Sequence, residues 1–112
     1  MNTDNTIYGV AMNPHNPGRS TSGSSGGEGG LISTKCSPVG LGTDIGGSIR
    51  SPAAFCGTYG FKPTPYRTSY LGSILPAKDS LLPQTRIDPS MGPLAGSIND
   101  IKVMTDVLFR AF

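Results

Sequence analysis

Two serines 24 positions apart each lie in a run of glycines, and the rest of the chain must fold around the close backbone approaches such runs permit. The first run is Gly23-Ser24-Ser25-Gly26-Gly27-Glu28, and the second is Gly42-Thr43-Asp44-Ile45-Gly46-Gly47-Ser48-Ile49-Arg50. Without a Cβ, glycine lets main-chain N–H groups crowd around a small group, but it costs more backbone entropy to order than any other residue. Gly and Pro together supply 26 of the 112 residues, and only 36% of the chain is hydrophobic. That is thin for a self-sufficient core, because short chains bury a smaller fraction of their surface. The expectation is a piece of a larger domain whose core is incomplete here.

Charge and composition exclude several classes of function. Nine basic and seven acidic residues leave a net charge of +2, and Arg19, Lys35, Arg50, Lys62 and Arg67 form no run. Nucleic acid, which calls for a basic stripe, is therefore not an expected partner. No apolar run approaches the ~20 residues of a membrane span, and the first six residues carry neither the charged nor the apolar region of a signal peptide. Membrane association and oligomeric state are left open. Cys36 and Cys56 are the only cysteines, which suits a reduced, intracellular chain. With His15 as the only histidine and no CxxC spacing, neither a metal site nor a cofactor is expected.

Residues 7–12 form a short apolar stretch that breaks at Asn13-Pro14-His15-Asn16-Pro17-Gly18, dense turn chemistry that makes His15 a surface loop residue. Residues 20–30, almost wholly Ser, Thr and Gly, read in isolation as a flexible linker. Residues 31–33 and 38–43 read as buried strands or strand ends. Ile49 to Gly57 fits a short helix with Pro52 in its first turn and Gly57 just past its end. Six prolines between residues 62 and 93, at 63, 65, 76, 83, 89 and 93, forbid a regular helix and predict irregular loop with brief strands lining a cleft. The clearest helix comes last. Ser97 with Asp100 makes a capping-box-like start, and Ile98, Ile101, Met104, Leu108 and Phe112 fall on one face, widened by Val103, Val107 and Phe109.

The second glycine run suggests chemistry. Successive N–H groups of a turn entering a helix bind anions, and a tetrahedral intermediate carries its charge on one oxygen. Ser48 is placed to attack while Ile45, Gly46 and Gly47 donate to that oxygen. A plain glycine turn or a phosphate cradle is the competing reading, although no lysine stands beside Ser48 as a Walker-type loop requires. A serine also needs a base. His15 has no evident carboxylate to orient it; Ser24 is the candidate for a relay that bridges to a neutral lysine, although composition alone favours a linker serine there.

Read together, these motifs resemble the amidase signature family, hydrolases that use a Ser–cis-Ser–Lys triad. The resemblance rests on Gly23 to Gly27, Gly42 to Arg50, Pro52-Ala53-Ala54-Phe55-Cys56-Gly57 and Gly60-Phe61-Lys62-Pro63-Thr64, with Asn13-Pro14 upstream and Gly92-Pro93-Leu94 downstream. It covers essentially the whole chain. It implies an α/β fold, a mixed β-sheet core flanked by helices, of which residues 1–112 are a partial, central portion. It implies Ser48 as the acyl-accepting nucleophile, Ser24 as the relay serine preceded by a cis peptide bond, and the amides of Ile45, Gly46, Gly47 and Ser48 as the oxyanion hole. Ser25 is implied as a supporting hydrogen-bond partner. Asp44 and Arg50 either brace the loop or are ordinary turn and surface residues.

The wording around Glu28 and Thr43-Asp44-Ile45 is similar to the fatty acid amide hydrolase-like branch, so a small-molecule fatty acyl amide is the first-choice substrate and an aryl or short acyl amide the second. A role in tRNA-dependent amidation is less favoured, since nothing suggests a partner subunit. The pattern departs from the family in two places. The family's lysine lies farther upstream of the glycine–serine loop than the 23 residues that precede Ser24, and Lys35 and Lys62 do not match its position. Gly96 stands where relatives often carry a basic residue. The alternative expectation is therefore a catalytically inactive homologue without its lysine base.

Overall fold

The computed structural model describes residues 1–73 and 87–111. The chain opens with two small antiparallel hairpins, β1 (Asp4–Asn5) with β2 (Gly9–Val10) and β3 (Met12–Asn13) with β4 (Asn16–Ser20). Asparagine oxygens close both turns. Asn5 Oδ1 accepts the N–H groups of Ile7 and Tyr8 at 3.0 and 2.7 Å, and Asn13 Oδ1 accepts that of His15 at 2.9 Å. There follow α1 (Gly26–Ser33), β5 (Val39–Asp44), α2 (Arg50–Cys56), β6 (Tyr59–Gly60), β7 (Ser90–Ala95) and α3 (Ile98–Arg110). The main sheet has the order β5-β7-β6, antiparallel throughout, with β5 and β7 in register from Val39↔Ala95 to Asp44↔Ser90. The described residues thus form a helix-and-strand fold of small sheets and three helices.

The linker and strand expected over residues 20–33 are instead, from Gly26 onward, the helix α1. Four glycines in eight residues give poor intrinsic helix propensity, so tertiary packing must hold this helix. A Cβ at Gly29 would lie 3.2 Å from Pro52 and 3.4 Å from Cys56 Sγ, so α1 and α2 approach more closely than larger residues allow. α2 itself matches the sequence reading, with Pro52 buried in its first turn and Gly57 ending it at φ 69°.

β7 occupies part of the stretch expected to be irregular, and it carries Pro93 at the centre of the sheet. Proline is ordinarily excluded there for want of an N–H. Pro93 O accepts from Phe61 N at 3.0 Å, so both its backbone groups face the β6 side. On that side the ladder ends at Gly60↔Leu94, and no bond to β5 is lost. Pro76, Pro83 and Phe112 lie outside the described residues.

α3 starts as its capping box predicts. Ser97 Oγ accepts the N–H of Asp100 at 3.2 Å and donates to its carboxylate at 2.7 Å. Ile101 is buried and Met104, Leu108 and Phe109 are half-buried, while Ile98, Val103 and Val107 face outward. The Arg67 guanidinium stacks over Phe109 at 4.9 Å from the ring centre, joining α3 to the loop after β6.

The core is small. Ile32, Ile49, Ala53 and Leu94 form one buried cluster, while Ile7, Tyr8, Phe55 and Leu71 are exposed, in keeping with the incomplete core expected from composition. Ile49 and Leu94 have no exposed surface and join α2 to β7. Ile49→Ala is expected to destabilise the fold by about 3 kcal/mol, the usual cost of a truncated core side chain. Urea denaturation measures this, and a loss below ~1 kcal/mol would contradict the placement of Ile49.

Candidate active site

The loop between β5 and α2 is organised by one carboxylate. Asp44 ends β5 and is 1% exposed. Its Oδ1 accepts the N–H of Gly47 at 2.7 Å, and its Oδ2 accepts those of Ile49 at 3.0 Å and Arg50 at 3.3 Å. The Arg50 guanidinium completes the set from its open side, with Nη2 to Oδ1 at 2.9 Å and Nε to Oδ2 at 3.0 Å. α2 has no side-chain cap of its own, so Asp44 satisfies the first amides of that helix from the end of the preceding strand. Burial alone would raise the Asp44 carboxyl. Hydrogen bonds from the Arg50 side chain and the N–H groups of Ile49, Gly47 and Arg50 outweigh it and hold the group well below the usual carboxylate range.

This lock fixes the candidate nucleophile. Ser48 is 5% exposed, and its Oγ donates to Met1 Sδ at 3.7 Å. Gly47 before it adopts φ +123°, which side chains rarely accept, and a Cβ there would meet Ser51 Oγ at 2.8 Å. Among the described residues, the N–H groups of Ile45, Gly46 and Ser48 have no hydrogen-bond partner within the chain, whereas that of Gly47 is held by Asp44. The four amides named from the sequence therefore differ: among the described residues three have no partner, and one shapes the loop.

The first glycine–serine run packs against this loop. The Gly23–Ser24 peptide bond is cis. Ser25 N donates to Ser48 O at 3.1 Å, and Ser25 Oγ accepts the N–H of Thr43 at 3.3 Å. Ser24 is thus one residue from a direct backbone bond to Ser48. Its side chain is exposed, and among the described residues no hydrogen bond links the Ser24 and Ser48 hydroxyls. Tyr70 reaches the same corner. Burial raises its phenol, a bond to Thr43 partly offsets this, and the Asp44 charge adds to the rise.

Among the described residues, no hydrogen bond joins Lys35 or Lys62 to either serine: Lys62 Nζ donates to Pro63 O at 3.2 Å, and Lys35 is exposed. No group of three or more metal-ligating side chains occurs among the described residues, and no described helix is long and apolar enough to cross a membrane. His15 is exposed, as a loop residue should be, but its Nε2 lies 3.0 Å from Cys56 O and 2.7 Å from Ser33 Oγ. Since a carbonyl only accepts, Nε2 carries the proton, and the ring ties the second hairpin to α1 and α2. With Asn13 Nδ2 donating to Phe55 O at 2.6 Å, His15 anchors the segment that leads to Ser24. Sequence reading missed both of these roles and that of Thr3, because their partners lie 18 to 42 residues away.

The Amidase family model matches residues 1–111. Fatty-acid amide hydrolase 1 of Sus scrofa is 47% identical over 97 residues, 87% of this chain and 16% of that protein. An acetamidase of Aspergillus oryzae is 44% identical over 108 residues, 96% of this chain and 19% of that protein. Among solved structures, a fatty acid amide hydrolase superposes with a TM-score of 0.85 at 38% identity, covering 93% of this chain and 18% of that one. The chain therefore spans about a fifth of the length of the relatives it matches.

The Asp44 lock makes a signed prediction. Its carboxyl is held below its unfolded value of about 3.9, so the unfolded chain binds more protons as pH falls through that value. The stabilisation is complete above about pH 5 and is lost as pH falls toward the folded-state value. Asp44→Asn, which sets an amide N–H₂ against backbone donors, is expected to cost about 2–4 kcal/mol at neutral pH. It is also expected to flatten the fall in stability below about pH 4, and denaturation at several pH values measures both effects.

Proposed function

The chain belongs to the amidase family, and on that premise we propose that residues 1–112 are the central portion of an amidase signature domain that hydrolyses amide C–N bonds through Ser48. The reading is carried by one observation. A buried serine hydroxyl follows a loop in which the amides of Ile45, Gly46 and Ser48 have no hydrogen-bond partner among the described residues, while Asp44 holds the loop's shape.

The mechanism follows from these groups. Ser48 Oγ attacks the amide carbonyl carbon, and its proton passes to Ser24 Oγ as the Ser24 proton passes to a base. The carbonyl oxygen becomes the oxyanion and takes hydrogen bonds from the free amides of Ile45, Gly46 and Ser48. Gly47 contributes by setting the turn. The C–N bond then breaks, the leaving nitrogen takes a proton back along the same relay, and an ester forms at Ser48. Water attacks this ester, releasing the carboxylic acid and restoring the Ser48 hydroxyl. Ser25 supports the relay by joining the two loops. Asp44 and Arg50 keep the donors fixed, so that little reorganisation accompanies charge development. The base implied by the family resemblance is a neutral lysine supplied from outside residues 1–112; burial lowers a lysine pKa and favours that form.

The substrate proposed first is a fatty acyl amide, supported by the wording of both glycine runs and by the similarity to fatty-acid amide hydrolase 1. A short acyl or aryl amide is the second choice, with which the similarity to an acetamidase accords. A second reading, an inactive homologue, is favoured by the Ser48 hydroxyl donating to Met1 sulfur rather than to a base.

A fluorophosphonate probe separates the two readings. Covalent labelling is expected at Ser48, mapped by peptide mass spectrometry and absent in Ser48→Ala. Ser24→Ala is expected to slow labelling about 10²–10⁴-fold, the range of a lost proton-transfer group. A folded protein that stays unlabelled supports the inactive reading. For a protein that labels, hydrolysis rates on long-chain and short-chain acyl amides then rank the two substrate classes.

A further inference from the structure

We infer that Thr3 is the positioning residue that sets the Ser22–Gly26 turn and, through it, the place of Ser24. The inference rests on the proposed role of Ser24 and adds a residue to it. One threonine side chain addresses three alternate residues of the turn. Its Oγ1 lies 3.0 Å from Ser22 O and 3.1 Å from Ser24 O, and it accepts the N–H of Gly26 at 2.9 Å. A hydroxyl has one proton to donate, so the two carbonyls share it while the oxygen lone pair takes the amide. Thr3 N adds a bond to Ser22 O at 3.1 Å.

The approach is close as well as polar. A Cβ at Gly23 would lie 2.7 Å from the carbonyl carbon of Asn2 and 3.0 Å from Thr3 N, so the backbone of residues 2 and 3 packs directly on the turn. Thr3 is in turn fixed from behind. Its carbonyl accepts the N–H of Ala11 at 2.8 Å, and Ala11 O accepts that of Thr21 at 3.1 Å, closing a relay of backbone bonds among three segments. No other described side chain bonds to backbone atoms of three residues in this turn. Within the same turn, the N–H of Ser25 holds Ser48 O. Thr3 thus acts on the reacting hydroxyls only through the turn that carries Ser24.

Valine has nearly the same shape but neither donates nor accepts, while serine keeps the hydroxyl. In Thr3→Val the amide of Gly26 is expected to lose its hydrogen-exchange protection, and the fluorophosphonate labelling rate at saturating probe is expected to fall about tenfold or more, as misplaced groups lose rate steeply. Probe affinity should change less than the rate, because Asp44 holds the Ser48 loop and the turn reaches it only through Ser25. Thr3→Ser is expected to restore both readouts. A general loss of stability would lower both variants' signals in proportion to the unfolded fraction, which circular dichroism measures alongside.

A Thr3→Val protein in which Gly26 stays protected overturns the inference, whether or not the protein labels. So does one that loses protection but labels at the wild-type rate. If the unmodified protein fails to label, the hydrolytic reading falls by itself, and the exchange of Gly26 still decides whether Thr3 sets the turn.

Discussion

The Asp44 carboxylate is the interaction on which this part of the molecule depends. Five hydrogen bonds converge on its two oxygens, three from backbone amides and two from one guanidinium. The amides of Ile49 and Arg50 would otherwise be unsatisfied donors at the start of a helix that lacks its own cap, and that of Gly47 an unsatisfied donor in the loop before it. Because the carboxylate sits on the last residue of β5, the sheet and α2 are coupled through a single buried charge. Arg50 is open to solvent on its outer side, so the pair is not the fully buried kind whose desolvation outweighs its attraction. The lock engages neither the Ser48 hydroxyl nor the amides of Ile45, Gly46 and Ser48.

A second constraint comes from close packing of backbone against backbone. α1 holds its glycine-rich sequence in a helix because Gly29 meets α2, and the turn before it is held by Thr3 and by the backbone at Asn2. Ser25 then joins the two loops through its amide and its hydroxyl. The two serines therefore have different main supports, Asp44 for Ser48 and the N-terminal segment for Ser24, and Ser25 couples them.

Residue chemistry marked out the candidate site, and the fold was legible only where residues act on near neighbours. Ser24, Ser48 and the glycines around them stand out because their types are unusual in combination, and Asp44 and Arg50 flank the same loop. α2 and α3 were readable because Pro52, Gly57 and Ser97 act on their near neighbours. The helix α1 was not readable, since Gly29 makes sense only against Pro52 and Cys56 more than twenty residues later, and Gly26 only against Thr3 and Thr21. Pro93 in a central strand was unreadable for the same reason: its missing donor is harmless only because β6 stops one residue short. The distinction between Gly47 and the other loop amides, and the roles of Thr3, Asn13 and His15, likewise depend on partners that local sequence does not reveal.

The most direct test of the Asp44 lock is the carboxyl carbon chemical shift of Asp44, followed by nuclear magnetic resonance as pH is lowered. The carboxylate is expected to stay ionised through the ordinary aspartate range, with its signal unchanged until the fold itself is lost. A titration of the folded protein centred near the unperturbed value of about 4 would show that the amides and Arg50 do not hold the charge. The loop around Ser48 would then need another cause.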